Sequence, residues 1–161
     1  MARTDGRRTT HQHEGELVVF LIGMTINRWW RVDQWFPTLL AMGPMLRELS
    51  KDPDSGLLGF RGLLGAGGPT VVQYWSSVDK LYAYASDRTA THRPAWAAFN
   101  RRARKAPGVV GVWHETYRVA QAESVYVGTP EMGLAAATER VPVTGRIDAA
   151  RQRIEAGGTA A

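Results

Sequence analysis

The chain contains no cysteine. That absence excludes disulfides, thiolate metal centres and a cysteine nucleophile, and it is compatible with the cytoplasm. Long apolar runs are missing as well. The longest, Leu17 to Ile22, falls far short of the roughly 20 residues that a membrane-spanning helix needs. The stretch from Met1 to Glu16 is polar and lacks the apolar segment of a signal peptide. A soluble, cytoplasmic protein with no membrane partner is therefore expected. No internal repeat is visible, which argues against a solenoid.

What is present describes a globular protein. A chain of 161 residues is most simply one domain, and 44% hydrophobic content with six Trp, five Tyr and four Phe supplies a real core. The net charge of +5 invites a nucleic-acid reading, but its placement argues against one. Arg3, Arg7 and Arg8 lie in the polar N-terminal stretch. Arg101, Arg102, Arg104 and Lys105 crowd the end of a predicted helix, where the macrodipole favours cations. No recognition motif accompanies them, so no nucleic-acid partner is expected. His11 and His13 form an H-x-H pair without further ligands nearby, and no metal site is expected there.

Residues 1–15 read as a flexible arm. Leu17 to Met24 is a near-continuous apolar run of strand length, as in a strand covered on both faces. From Asp33 to Leu49 apolar residues recur at helical spacing, with Pro37 suited to a first turn and Pro44 able to kink or restart the helix. A turn at 51–56 leads to a strand from Leu57 to Leu64, loosened by Gly59 and Gly62, with Phe60 and Arg61 on opposite faces. The Gly-rich 65–69 connection lacks the Lys-Ser/Thr ending of a phosphate loop and reads as a hairpin into Thr70 to Trp75. There Val71, Gln73 and Trp75 share a face. A helix follows to Ser86, breaks at 87–91, and resumes from His92 to Arg104.

The last core strand, Val109 to Val119, holds the densest chemistry: Trp113, His114, Glu115 and Tyr117. Alternation places His114 with Val112, Thr116 and Arg118 on one face, and Glu115 with Trp113 and Tyr117 on the other. Only half of that set can border one pocket. Beyond it, Glu123 to Val127 is a short extended piece, Arg146 to Ile154 a helical turn or two, and Gly157 to Ala161 should fray. The order strand, helix, strand, strand, helix, strand predicts an α+β, ferredoxin-like β-α-β-β-α-β antiparallel sheet over residues 16–143, followed by a partly helical or disordered tail over 144–161. Apolar residues on both sides of the first strand predict a homodimer through the open sheet face.

Phe20 to Met24 with Asn27, Arg28, Trp29 and Trp30, then Gly68 to Trp75, His92 to Trp96 and Gly111 to Tyr117, resemble in order the fumagillin-cluster type of antibiotic biosynthesis monooxygenase-like family. That family is similar to the dimeric α/β barrel proteins, and the resemblance covers roughly Leu17 to Val143. It implies a monooxygenase-like enzyme oxidising a small aromatic or polyketide-like molecule, with no cofactor beyond dioxygen. Such chemistry needs a general base in a desolvated pocket. His114 or His92 would be the base, and Tyr117, Asn27 or Arg28 would hold an enolate or phenolate oxygen, with Glu115 beside them. Trp29, Trp30, Trp75, Trp96 and Trp113 would supply flat walls. The resemblance also admits a haem protein of the dehydratase, peroxidase or haem-degrading type. His92, after Ser86-Asp87, or His114 would then ligate the iron of haem b, and Arg28, Arg61 or Arg93 would meet the propionates. A non-catalytic small-molecule binder is the third expectation.

Overall fold

The computed structural model describes residues 6–65 and 67–157. Residues 1–5 of the expected arm, Ala66 of the glycine-rich connection and residues 158–161 of the expected fraying end lie outside the described residues.

Four strands make the main sheet: β2 (Val18–Ile26), β3 (Leu57–Gly65), β4 (Gly68–Trp75) and β5 (Val110–Arg118). A short strand, β1 (Thr9–Gln12), precedes them. The helices on one face are α1 (Val32–Lys51), α2 (Val78–Ser86) and α3 (His92–Lys105). All neighbouring strands are antiparallel, in the order β3-β4-β2-β5. A β-α-β-β-α-β chain builds that order when the outer two strands flank the first and third, and the fold is ferredoxin-like. After β5 come α4 (Gly133–Ala137), β6 (Glu139–Pro142), a 3₁₀ turn at Gly145–Ile147 and α5 (Ala150–Ala156).

Local chemistry explains the element boundaries. The Ser77 hydroxyl accepts from the Lys80 N–H at 3.1 Å and caps α2. The β3–β4 hairpin closes through Gly68 at φ +139°, where an added Cβ would lie 2.2 Å from the Met24 carbonyl oxygen. Only glycine lets β2 pass that close. Helix α1 starts at Val32, so Pro37 sits in its second turn, and the helix runs on through Pro44 without a break. Both prolines, and Asp33 and Leu40 four residues before them, are exposed. The carbonyls that lose a helical partner there can therefore bond water.

On the helix-facing side of the sheet, Val18, Trp75, Leu49, Val78 and Leu81 form the buried core, with Phe20, Leu57 and Tyr84 against it. Trp75 is fully buried, and truncating such an aromatic costs about 3–5 kcal/mol. On the opposite face the Trp113 ring lies over Gly23, 2.4 Å from where a Cβ would stand. Ala137 of α4 fits against Gly59 in the same way, beside the register shift between Leu57 and Gly59. The chain's own C-terminal part thus covers the β3 side of the outer face.

The stretch read as a flexible arm differs from expectation within its described part. Thr9–Gln12 forms β1, which pairs antiparallel with β6, Thr9 opposite Pro142. Thr9 also exchanges backbone bonds with Tyr126 at 3.0 and 2.8 Å. His11 is buried, with Nδ1 2.8 Å from the Ser124 hydroxyl. Buried Arg153 of α5 donates to Glu123 at 2.6 Å. These contacts are long-range, and no local periodicity announces them.

Candidate functional site

Between the sheet and its three helices lies a cavity of about 460 Å³. Its walls come from alternate residues of the strands: Phe20, Ile22 and Met24 of β2, Val71, Gln73 and Trp75 of β4, and Val112, His114 and Thr116 of β5. The register sets them side by side, Ile22 opposite both Val71 and His114, and Phe20 opposite both Gln73 and Thr116. Leu39, Met42, Met45 and Leu46 of α1 and Trp96 and Phe99 of α3 form the roof. Size and lining match a site for a small apolar molecule with few polar anchors. Leu39, Tyr82, Trp96 and His114 are exposed and mark the rim.

Like Tyr82, His114 is an exposed polar group of this lining. Its ring lies 5.6 Å from that of Phe20, tilted by 37°. Neither ring nitrogen has a hydrogen-bond partner among the described residues. Gln73 is the second anchor. It is only 5% exposed, and its Oε1 accepts the Trp75 indole N–H at 2.9 Å. An indole nitrogen is a donor only, so the amide must turn its oxygen toward Trp75 and its NH₂ away. Two fixed donors therefore remain for a ligand in the cavity that Gln73 lines.

His92 also lines the cavity, but its ring is engaged. Nε2 donates to the Ala85 carbonyl at 3.1 Å, and Nδ1 is buried without a hydrogen-bond partner among the described residues. The ring lies 4.9 Å from that of Tyr84, whose phenol donates to Glu48 at 3.4 Å. Glu48 also accepts from the Thr91 N–H at 3.2 Å and from its hydroxyl. Burial pushes the Tyr84 phenol up to about 12, so it stays protonated. His92, Tyr84, Thr91 and Glu48 together hold the α2–α3 junction onto α1.

The remaining sequence-derived candidates do not converge here. Glu115 and Tyr117 lie on the outer sheet face, because alternation sends them away from His114. There the Tyr117 phenol donates to Glu115 at 2.7 Å, and that bond raises its pKa. Trp113 shares that face. Asn27 donates through Nδ2 to the Gly108 carbonyl at 3.1 Å, a structural tie between β2 and the turn before β5. Arg28 and Trp30 point to solvent. Trp75 and Trp96 do line the cavity. Gln73 was missing from the candidates, though one polar residue between Val71 and Trp75 on an apolar face was its signal.

The histidines near the N-terminus are occupied elsewhere. His11 bonds Ser124, and His13 Nε2 bonds the Glu16 carbonyl at 3.0 Å. Burial, then the neighbouring His13, lowers the pKa of His11. Among the described residues, no group of three or more His, Asp or Glu is placed to hold a metal. None of their helices is long and apolar enough to cross a membrane.

A ferredoxin-like sheet with an apolar cavity under its helices defines a protein of the α+β class. The chain belongs to the monooxygenase af470-like family, which it matches over residues 17–134. The resemblance read from the sequence starts at the same residue. No curated protein matches the chain. Among solved structures, an aldoxime dehydratase in complex with butyraldoxime is similar at 14% identity and a TM-score of 0.57, over 94% of this chain and 42% of that one. SnoaB, a cofactor-independent oxygenase from Streptomyces nogalater, is 11% identical with a TM-score of 0.42, over 67% of this chain and 97% of its own. A dimeric ferredoxin-like protein of unknown function from Jannaschia sp. is 18% identical with a TM-score of 0.44, over 62% and 97%. At these identities the first shares the fold alone.

Proposed function

We propose that this protein oxidises a small, flat, enolisable molecule with dioxygen, and that His114 is the general base. The observation that carries the reading is His114 itself, an imidazole without a hydrogen-bond partner among the described residues, at the rim of an apolar cavity. His114 takes a proton from an acidic C–H or phenolic O–H of the substrate. The resulting carbanion or phenolate gives its electrons to dioxygen. For a methylene carbon the balance is CH₂ + O₂ → C=O + H₂O, with both electron pairs drawn from the substrate's C–H bonds. Gln73 donates to a substrate oxygen on which negative charge gathers. Gln73 and His114 stand on strands either side of β2 and two β2 residues apart in register, about 12 Å between their backbones. The oxygen that Gln73 holds is therefore remote from the carbon that His114 deprotonates, as a conjugated fused-ring substrate allows.

A haem fits this arrangement poorly. His92 Nε2 is engaged with Ala85, which leaves His114 as the cavity's open imidazole, and among the described residues the cavity lining contains no Arg or Lys to meet two propionates. The expected homodimer is retained in a narrower form. With α4 over β3, a second copy would meet the β2–β5 side of the outer face, where Trp113 and Tyr117 are exposed.

The test is oxygen uptake with enolisable tricyclic ketones, anthrone among them. Wild-type protein should consume oxygen, and His114→Ala should lose about 10²–10⁴-fold in turnover with an unchanged circular-dichroism spectrum. Uptake by H114A at the wild-type rate would remove the base assignment. Ligand binding without any uptake by wild type would favour a non-catalytic binder. A Soret band on adding hemin, lost in H92A or H114A, would restore the haem reading.

A further inference from the structure

Trp29 and Trp30 do not wall the cavity. Trp30 is 76% exposed, and Trp29, Phe36 and Leu40 are 50%, 44% and 57% exposed. They form one surface. The ring of Trp29 packs edge-on to Trp35 and that of Trp35 edge-on to Phe36, both at 5.8 Å, while Leu40 stands one helical turn beyond Phe36. Leu39 and Trp96, at the cavity rim, continue the apolar surface toward the opening.

A basic border adjoins it. The Asn27 N–H bonds the Val109 carbonyl at 3.0 Å, which sets Arg28 to Trp30 beside the turn that ends α3. Arg102 donates to Thr38 at 3.2 Å and pins α3 along α1. Arg101, Arg104 and Lys105 are exposed on that helix end, and Arg28 is exposed beside the tryptophans. None of these four has an ion-pair partner among the described residues. Asp33, the acid within the patch, is already taken by Arg31 through two bonds of 2.9 Å.

We propose that this surface, the start of α1 with the end of α3, docks on an anionic lipid bilayer. Exposed indoles suit the headgroup region, aliphatic and phenyl side chains the acyl boundary, and unpaired cations the phosphate charge. A second copy of the chain fits less well, because a symmetric contact would bring both sets of unpaired cations together. The expectation of no membrane partner rested on the lack of a spanning segment, and a surface contact needs none. Docking here holds the cavity rim against the bilayer, whatever the cavity does to its ligand.

Co-sedimentation of the full chain with vesicles tests it, using phosphatidylcholine alone and with about one-third phosphatidylglycerol. The protein should pellet with the anionic vesicles, with a blue shift in tryptophan emission, and be released by high salt. Trp30→Ser should weaken partition by about tenfold or more, and Arg101→Ala, Arg104→Ala and Lys105→Ala by about fivefold each. Leu40→Ser serves as a second apolar variant, should W30S alter the far-ultraviolet spectrum. Wild type that stays in the supernatant at low salt would overturn the proposal. So would partition that neither W30S nor L40S reduces. Self-association lost in W30S, without vesicle binding, would assign the patch to a second copy instead.

Discussion

Replacing Gln73 by leucine separates two roles of one buried amide. Leucine keeps the volume and the apolar character of the wall but removes the acceptor of the Trp75 indole N–H. Trp75 is fully buried, so that donor has no route to water. An orphaned buried donor costs about 1–3 kcal/mol. For a chain of this size each kcal/mol is worth about 2–4 °C, which puts the fall in melting temperature at roughly 2–12 °C. Thermal and urea unfolding of Gln73→Leu, Trp75→Phe and the double variant measure it. Phenylalanine has no N–H to orphan, so the cost of Q73L should shrink toward zero in the W75F background, a coupling of about 1–2 kcal/mol. Equal costs in both backgrounds would refute the hydrogen-bond account and leave only packing. The same substitution deletes both donors facing the cavity, and turnover should fall about 10²–10³-fold.

Two further predictions concern the frame around the site. Gly68→Ala should cost about 3 kcal/mol or more, since φ +139° and the Met24 carbonyl both oppose a side chain. Gly62→Ala, with nothing within 4 Å of its added methyl, should stay within about 1 kcal/mol of wild type by urea denaturation. His11 makes stability pH-dependent. Its folded-state pKa is lowered below the ordinary 6.5, so in that range the unfolded chain binds more protons. The contribution is complete above pH 6.5 and is lost as pH falls through the folded value. Denaturation curves between about pH 7.5 and about pH 5 should show a decline that His11→Gln flattens, and equal slopes in both proteins would refute it.

Helix α1 was legible from the helical spacing of its apolar residues, β2 from a near-continuous apolar run of strand length, β3 from the turns that bound it, and β4 and β5 from alternation. The split of His114 from Glu115 and Tyr117 followed from strand alternation alone. What alternation cannot say is which face meets helices, so the pocket side of β5 emerged only once α1, α2 and α3 were placed. The tryptophans at 29 and 30 were read as walls of the cavity. Their position beyond the end of β2 puts them past the sheet, where Trp35 packs on Trp29 but both stay half or more exposed. Strand β1 was missed because Thr9-Thr10-His11-Gln12 carries no apolar pattern, and its partner lies some 130 positions away, opposite Thr9 at Pro142. Gln73 was seen on its face and passed over, because an amide's value depends on the donor beside it.

That pairing of β1 with β6 has a consequence for a chain emerging from the ribosome. The four-stranded sheet and its helices are complete once Arg118 is available, yet β1 cannot be matched until Pro142 follows. Over that interval the segment carrying His11 can bond Ser124 and Tyr126 but lacks its strand partner, and Gly59 lacks its cover until Ala137 follows. The outer sheet face is then as bare as it will ever be. Synthesis order therefore leaves a brief window in which this face can meet a chaperone, or another nascent copy, before the C-terminal part closes over the β3 side.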